Sequence, residues 1–223
     1  HTWLVPAHAD EFASFLPIME VFSLHSRGLE TTRDDVVYDF QREPLVARVR
    51  QFIDNYNAEV DRYRLAGAPA NVDDFVRYDR IKWSSSLKQH LQRHTYATFD
   101  ADRIRMALYR PFTKRSVFFD ELLVHRPGKW SRFFSSPATE QENLAITLSD
   151  IGYRAATFNA LVSACIPDLH LCAPVDAHQC FPYYTYDPDG SNRRENITDL
   201  ALDRFRTHYC NPQIAKWDVF HYV

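Results

Sequence analysis

The residues best suited to chemistry in this sequence are cationic, and they are concentrated in its middle quarter. Residues 77–132 contain 13 Lys and Arg against 5 Asp and Glu, a net charge of +8. The flanking segments are acidic, with −6 over residues 1–76 and −5 over residues 133–223, so the whole chain carries only −3. A basic block attracts polyanions, because neutralising phosphates gives sequence-independent affinity for nucleic acid. The open alternative is an ordinary solvated basic face.

Two motifs in this block could bind phosphate. Residues 82–88 (KWSSSLK) place hydroxyls and backbone amides beside lysines where a helix is expected to begin, and helix amino ends bind anions. Residues 109–115 (YRPFTKR) place further cations before an expected strand. We therefore predict phosphate contacts from Lys82, Ser84, Lys88, Arg110, Lys114 and Arg115.

A second set of residues could read DNA bases. Residues 126–132 (RPGKWSR) form a basic loop, and Arg and Lys on loops over a rigid sheet can reach guanine edges in the major groove. We predict base reading from Arg126, Lys129, Arg132, Gln179, Arg193 and Arg194.

Catalytic chemistry has weaker support. The best metal candidate pairs His170 with Cys172 and His178 with Cys180, since alternate residues of a strand share a face and these side chains suit zinc. The spacing is unlike that of structural zinc sites, so a zinc-dependent hydrolase is the minor alternative and buried cysteines are the main one. The sequence lacks G-x-G-x-x-G, a phosphate loop and G-x-S-x-G, so we predict no catalytic residue, metal or cofactor in this segment.

The elements that must position these side chains indicate an α+β fold, with a twisted mixed or antiparallel sheet and flanking helices. Apolar residues recur at steps of three and four from Pro44 to Arg64, which predicts a long amphipathic helix before the sheet. Shorter helices are expected after one of the serines 84–86, after Asp100, after Thr198 and after Asn211-Pro212. The helix after Asp100 is expected to carry Ile104 and Leu108. Strands are expected over residues 116–119, 144–148, 158–162 and 179–186.

Composition bounds the class of protein. No apolar run is long enough to span a membrane, and no basic-then-apolar signal peptide opens the chain. Four cysteines are too few for a disulfide scaffold and favour a reducing, cytoplasmic location. The chain begins with His1 rather than Met, so we expect a piece of a longer protein.

Several motifs resemble, in the same order, the C-terminal specificity region of type ISP restriction-modification enzymes. They are residues 108–115 (LYRPFTKR), 118–120 (FFD), 139–143 (TEQEN), 166–171 (IPDLHL), 179–184 (QCFPYY), 192–199 (NRRENITD) and 216–222 (KWDVFHY). The resemblance implies a non-catalytic target recognition domain over residues 71–223, preceded by a helical segment, 1–70, that links to an upstream methyltransferase. A stretch of small residues and proline at 66–69 suits a boundary near residue 70.

Members of that family are large single polypeptides that join a nuclease, a helicase, an adenine-N6 methyltransferase and a target recognition domain. The resemblance therefore implies a prokaryotic, cytoplasmic phage-defence enzyme that uses S-adenosylmethionine, ATP and Mg outside this segment. Its partners would be double-stranded DNA and the methyltransferase and helicase domains. The competing hypothesis is a protein–protein docking module of the same machine, in which the basic block contacts an acidic protein surface.

Overall fold

The computed structural model describes residues 8–149, 158–171 and 178–223. Its helices are α1 (Ala9–Ser14), α2 (Ile18–Val21), α3 (Asp34–Val37), α4 (Arg42–Leu65), α5 (Val72–Phe75), α6 (Ser85–Gln92), α7 (Pro137–Glu142), α8 (Asp199–His208) and α9 (Lys216–Tyr222). The strands are β1 (Ser26–Arg27), β2 (Tyr38–Asp39), β3 (Ile104–Arg110), β4 (Thr113–Phe118), β5 (Ala145–Ser149), β6 (Ala160–Ser163), β7 (Ile166–Pro167), β8 (His178–Pro182), β9 (Tyr184–Thr185) and β10 (Arg194–Glu195).

The long helix α4 forms because its apolar residues follow the helical period. The side chains predicted to form its inner stripe, from Leu45 to Tyr63, are all buried. Charged residues occupy the opposite face, and the basic residues Arg62 and Arg64 lie in the last turn, where they complement the helix dipole. The amphipathic helix expected from the sequence is confirmed.

Within the described residues, the strands form two four-stranded sheets and a two-stranded ribbon. The central sheet has the order β1-β8-β5-β6 and is antiparallel throughout. The second sheet has the order β2-β4-β3-β7, in which only the β3–β7 pair is parallel, and β9 pairs with β10. The α+β class with mixed and antiparallel sheets is confirmed.

The central sheet separates two hydrophobic cores. Adjacent residues of a strand point to opposite faces, and Ala145 and Cys180 belong to the core that contains α4, α6 and the second sheet. Their neighbours Ile146 and Phe181 belong to the core that contains α2, α8 and α9. The central sheet is therefore covered on both faces.

Three local predictions need correction. The helix expected after Asp100 is wrong: a single 3-10 turn (Ala101–Arg103) leads directly into β3, because residues 104–108 and Arg110 pair with β4. The strand expected over residues 179–186 is divided into β8 and β9 at Tyr183. The last helix begins only at Lys216, where the Asp218 carboxylate accepts a hydrogen bond from the Ala215 N–H.

The division near residue 70 stays a prediction. Helix α4 packs in the same core as Val117 and Phe118 of β4. Strands β1 and β2, from the first part of the chain, pair with β8 and β4 from the second.

Candidate nucleic-acid interface

The β3–β4 hairpin brings together three of the predicted phosphate-binding residues, Arg110, Lys114 and Arg115, here called the hairpin cations. Lys114 pairs with Leu108 and Arg115 with Ala107, while Arg110 pairs with Thr113 across a two-residue turn. Because β3 also pairs with β7, the hairpin is attached to the sheet rather than free. A sheet hairpin holds charged side chains at a fixed spacing, which favours binding to a regular array of phosphates.

Aromatic rings and one carboxylate orient two of the hairpin cations. The Arg110 guanidinium donates a 2.7 Å hydrogen bond to Asp168 and lies 4.1 Å from the centre of the Tyr109 ring. The Arg115 guanidinium lies 4.2 Å from the same ring and 4.3 Å from the Phe40 ring. Such cation–π contacts restrict the side chains. Arg115 therefore has a packing role whether or not it contacts phosphate.

Lys114 is the most accessible of the hairpin cations. Its side chain is exposed and lies near the Cys165 thiol, whose pKa is raised by burial while the Lys114 charge opposes that rise. An exposed ammonium on a rigid strand can contact phosphate without first breaking an ion pair.

At the amino end of α6, where the sequence predicts a phosphate, Ser84 and Lys88 already have partners within the protein. The Ser84 hydroxyl accepts hydrogen bonds from the Leu87 N–H (3.3 Å) and from the Arg33 guanidinium (2.8 Å). The Lys88 ammonium bonds to Asp73, and this hydrogen bond raises the Lys88 pKa. The Lys82 side chain is exposed. A phosphate at this helix end would compete with existing partners at Ser84 and Lys88 but not at Lys82.

Arg33 organises this region and was missed from the sequence, because it lies in the acidic first third of the chain. Its side chain is buried, and it donates to the carbonyls of Leu123 and Lys82 as well as to Ser84. Burial lowers its pKa to about 10, so it stays charged at neutral pH. Arg33 thereby ties the start of α6 to the loop that carries Arg126.

The predicted base-reading loop packs against β1. The Arg126 guanidinium is paired with Glu30 at 3.1 Å and is largely exposed. The Lys129 N–H donates to the Ser26 hydroxyl at 3.0 Å, while the Lys129 side chain is exposed. Arg132 is half-buried, and its carbonyl accepts a 2.8 Å hydrogen bond from the Tyr186 N–H.

Gln179 lies beside a cation that was not predicted. In the β1–β8 pair Gln179 is directly opposite Arg27, so their side chains share a face of the sheet. Arg27 is exposed, and the Gln179 amide oxygen lies 3.2 Å from His25 Nδ1. An arginine and a glutamine side by side carry the groups that recognise guanine and adenine edges. No sequence signal connects residues so far apart.

Arg193 is the last residue of the loop between β9 and β10, and Arg194 is the first residue of β10. The Arg193 guanidinium pairs with Glu142 at 2.8 Å and lies 4.7 Å from the Tyr184 ring centre, while Arg194 pairs with Asp187 at 3.0 Å. All four of these charged side chains are at least one third exposed. Exposed ion pairs contribute at most about 1 kcal/mol to stability. Breaking these two pairs so that the arginines can contact DNA would therefore cost little free energy.

These base-reading candidates are connected in space. The 129–132 segment contacts β1 through Lys129 and the β9 strand end through Arg132. It thus joins β1, the strand of Arg27, to the end of β9, where the loop that leads to Arg193 and Arg194 begins. The hairpin cations lie on the other sheet, on strands β3 and β4.

The zinc alternative gains no support. In the described part of the chain no group of three or more His, Cys, Asp or Glu residues could hold a metal ion, and Cys172 lies outside that part. Cys180 is buried and burial raises its pKa to about 12, which disfavours the thiolate that binds zinc.

Among the described helices, none is long and apolar enough to cross a membrane.

Comparison with known proteins identifies relatives. The family model of the Type ISP C-terminal specificity domain matches residues 20–223. Among solved structures, the chain is similar to a cryo-EM structure of a DrdV–DNA complex (30% identity, TM-score 0.75, covering 91% of this chain and 19% of that one). It is also similar to a nuclease-deletion mutant of the Type ISP restriction-modification enzyme LlaGI in complex with a DNA substrate mimic (32%, TM-score 0.73, covering 87% and 18%).

A third solved structure, the ATP-dependent Type ISP restriction-modification enzyme LlaBIII bound to DNA, shares the fold at 24% identity and a TM-score of 0.70, covering 89% of this chain and 12% of that one. The chain therefore spans less than one fifth of each of these proteins. No curated protein matches it.

Proposed function

This chain belongs to the family of Type ISP C-terminal specificity domains, and we propose that it recognises a duplex DNA site on behalf of a larger restriction-modification polypeptide. In that polypeptide it positions the site for an adenine-N6 methyltransferase, which must extrude its target base from the stack, and for a helicase-nuclease. The similar solved structures are a DrdV–DNA complex and a Type ISP restriction-modification enzyme, LlaGI, in complex with a DNA substrate mimic.

The observation that supports this proposal best is the arrangement of the hairpin cations. Arg110 and Arg115 are held against the Tyr109 ring, and Lys114 is exposed beside them on the same strand pair. Cations on rigid strands set the register of a duplex through its phosphates, which leaves base discrimination to other side chains. Arg27 and Gln179, which share a face of the β1–β8 pair, offer such side chains.

Cofactors belong to other parts of the polypeptide in this proposal. S-adenosylmethionine, ATP and Mg serve the methyltransferase and the helicase-nuclease, and this sequence contains no phosphate-loop motif that would bind a nucleotide. We place the enzyme in the prokaryotic cytoplasm, where its DNA substrate lies.

The test is DNA binding by the complete polypeptide as a function of salt. The probe is a duplex that carries the motif methylated by the enzyme, here called the recognition duplex. We expect affinity to fall steeply with salt, and Lys114→Ala to weaken binding to all sequences alike while reducing the salt slope by about one unit. Lys114 is preferred to Arg115 for this test because Arg115→Ala would also remove the aromatic contacts.

Lys216→Ala is the matched control. Lys216 lies outside the basic block on α9 and is paired with Asp199 at 2.7 Å, so its loss should leave the salt slope unchanged. Salt-insensitive binding, or Lys114→Ala that weakens assembly with the other domains but not DNA affinity, would replace the proposal with the protein-docking function.

A further inference from the structure

One large apolar side chain projects from the hairpin that carries the hairpin cations. Phe112 is 94% exposed, the highest value among the large hydrophobic residues of the described chain. It lies in the two-residue turn, after Pro111 and between the paired residues Arg110 and Thr113. Its ring therefore stands at the tip of the hairpin and packs against little of the protein.

The backbone at this tip is unfavourable for phenylalanine. Phe112 has a φ of 64°, in the left-handed region. Proline followed by a residue of positive φ is typical of a type II turn, whose second central position favours glycine or asparagine. A bulky residue there is strained, and such strain is concentrated at functional positions. Both the exposure and the conformation of Phe112 disfavour a role in folding.

The charges around Phe112 favour a polyanion as the molecule that covers it. Arg110 and Lys114 lie on the two strands immediately before and after the turn. The hairpin beneath is held in the sheet, because β3 pairs with β4 on both sides of the register shift between Leu108 and Arg110 and with β7 on its other edge. An apolar ring between cations on a rigid arm suits nucleic acid, where phosphates flank stacked bases.

We propose that Phe112 inserts between stacked bases of the bound duplex as an apolar wedge, with Arg110 and Lys114 on the phosphates at either side. This inference rests on the proposed function, and it names Phe112 as the residue that intercalates in the recognised DNA. Insertion must offset the cost of separating a base step. Contact between the phenyl ring and the exposed base faces supplies a compensating gain.

The experiment scans 2-aminopurine, which fluoresces when unstacked, through the recognition duplex bound to the complete polypeptide. We expect one step at which fluorescence rises with wild type and with Phe112→Trp but not with Phe112→Ala. The control is Leu65→Ala, since Leu65 is 89% exposed at the end of α4 and lies in no cationic hairpin. This control should behave as wild type.

Affinity measurements provide a second readout. We expect Phe112→Ala to weaken binding about fivefold or more with an unchanged salt slope, because no charge is lost. A mismatch placed at the unstacked step should restore part of this loss, since the cost of unstacking is then already met. A residue with a merely structural role would show no such rescue.

The outcomes separate the two proposals. If wild type does not bind the recognition duplex, the proposed function fails. If it binds with the expected salt dependence but no step responds to Phe112→Ala, the wedge is overturned and the proposed function stands. If Phe112→Ala instead loosens the association of this domain with the rest of the polypeptide, Phe112 is a protein contact and the wedge is again overturned.

Discussion

The Arg110 guanidinium donates a 2.7 Å hydrogen bond to the buried carboxylate of Asp168, which lies just after β7. Asp168 also accepts hydrogen bonds from the Tyr38 hydroxyl (3.4 Å) and from the His170 N–H (3.0 Å). The Arg110 side chain remains 41% exposed. A buried anion thus orients a surface cation from below, and the rest of the guanidinium can still meet a ligand.

This pair predicts a pH-dependent term in stability. Burial raises the pKa of Asp168 above its ordinary value. Between the ordinary and the raised pKa the folded state binds more protons than the unfolded state, so the free energy of unfolding falls as pH rises through that window. The measurement is the free energy of unfolding in urea for wild type and for Asp168→Asn at several acid pH values. We expect the wild-type value minus the Asp168→Asn value to fall as the pH increases. A flat or rising difference would contradict the dominance of burial at this carboxyl.

Ser84 should act on stability rather than on DNA binding. Its hydroxyl caps α6 and accepts from Arg33, so both contacts are lost in Ser84→Ala. Loss of such a cap costs about 0.5–2 kcal/mol, and the buried Arg33 loses a partner as well. We expect a lower denaturation midpoint and an unchanged salt slope of DNA binding at a temperature where the variant is folded. A reduced slope would show that Ser84 contacts phosphate.

Gly128 holds the base-reading loop close to β1. It has a φ of 65°, and a Cβ there would lie 2.5 Å from the Ser26 hydroxyl oxygen, which accepts the Lys129 N–H. Gly128→Ala should therefore destabilise by more than the left-handed strain of about 1–2 kcal/mol, and should weaken site discrimination by displacing Lys129. Gly67→Ala is the control, since Gly67 has a φ of 75° but open space around it. Equal losses of thermal stability in the two variants would contradict the close approach.

The sequence predicted the amphipathic elements well but overestimated the free charge of the basic block. Lys88, Arg103, Arg105, Arg110 and Arg126 are each paired with a carboxylate. Most of these partners, such as Glu140 for Arg105 and Glu30 for Arg126, lie outside the block in the sequence. Chain folding neutralises part of the block, and no linear count of charges can reveal which cations stay available.

Long-range strand pairing explains the other differences. Residues 104–110 are compatible with helical spacing, yet pairing with β4 and β7 makes them a strand. The same kind of pairing brings Arg27 beside Gln179. Helix α4 was predictable because its period is local, whereas the candidate base-reading face depends on contacts between residues about 150 positions apart, such as His25 and Gln179.

Arg27 should contribute to base recognition together with Gln179. Gln179→Ala and Arg27→Ala should each relax the requirement for one base pair of the DNA site. The two affected base pairs should be adjacent in the site, because the two side chains share a face of the β1–β8 pair. Arg27→Lys keeps the charge but not the bidentate fork, so it should bind DNA well and still discriminate poorly. Methylation of duplexes with single base-pair changes measures this effect. Relaxation at unrelated positions would show that the residues do not read bases together.

Arg193 should read one base, because its guanidinium plane is restricted before DNA arrives. The Tyr184 ring and the Glu142 carboxylate both hold it, and the exposed ion pair is easily exchanged for a base edge. Arg193→Ala should cost about 1–3 kcal/mol of discrimination at one position of the methylation motif, and Arg193→Lys nearly as much. Glu142→Gln removes the ion-pair partner of Arg193 but leaves its contact with the Tyr184 ring. The Glu142→Gln enzyme should therefore methylate the same DNA motif as wild type. If Arg193→Ala lowers methylation of all duplexes equally, Arg193 contacts the phosphate backbone or supports the loop instead.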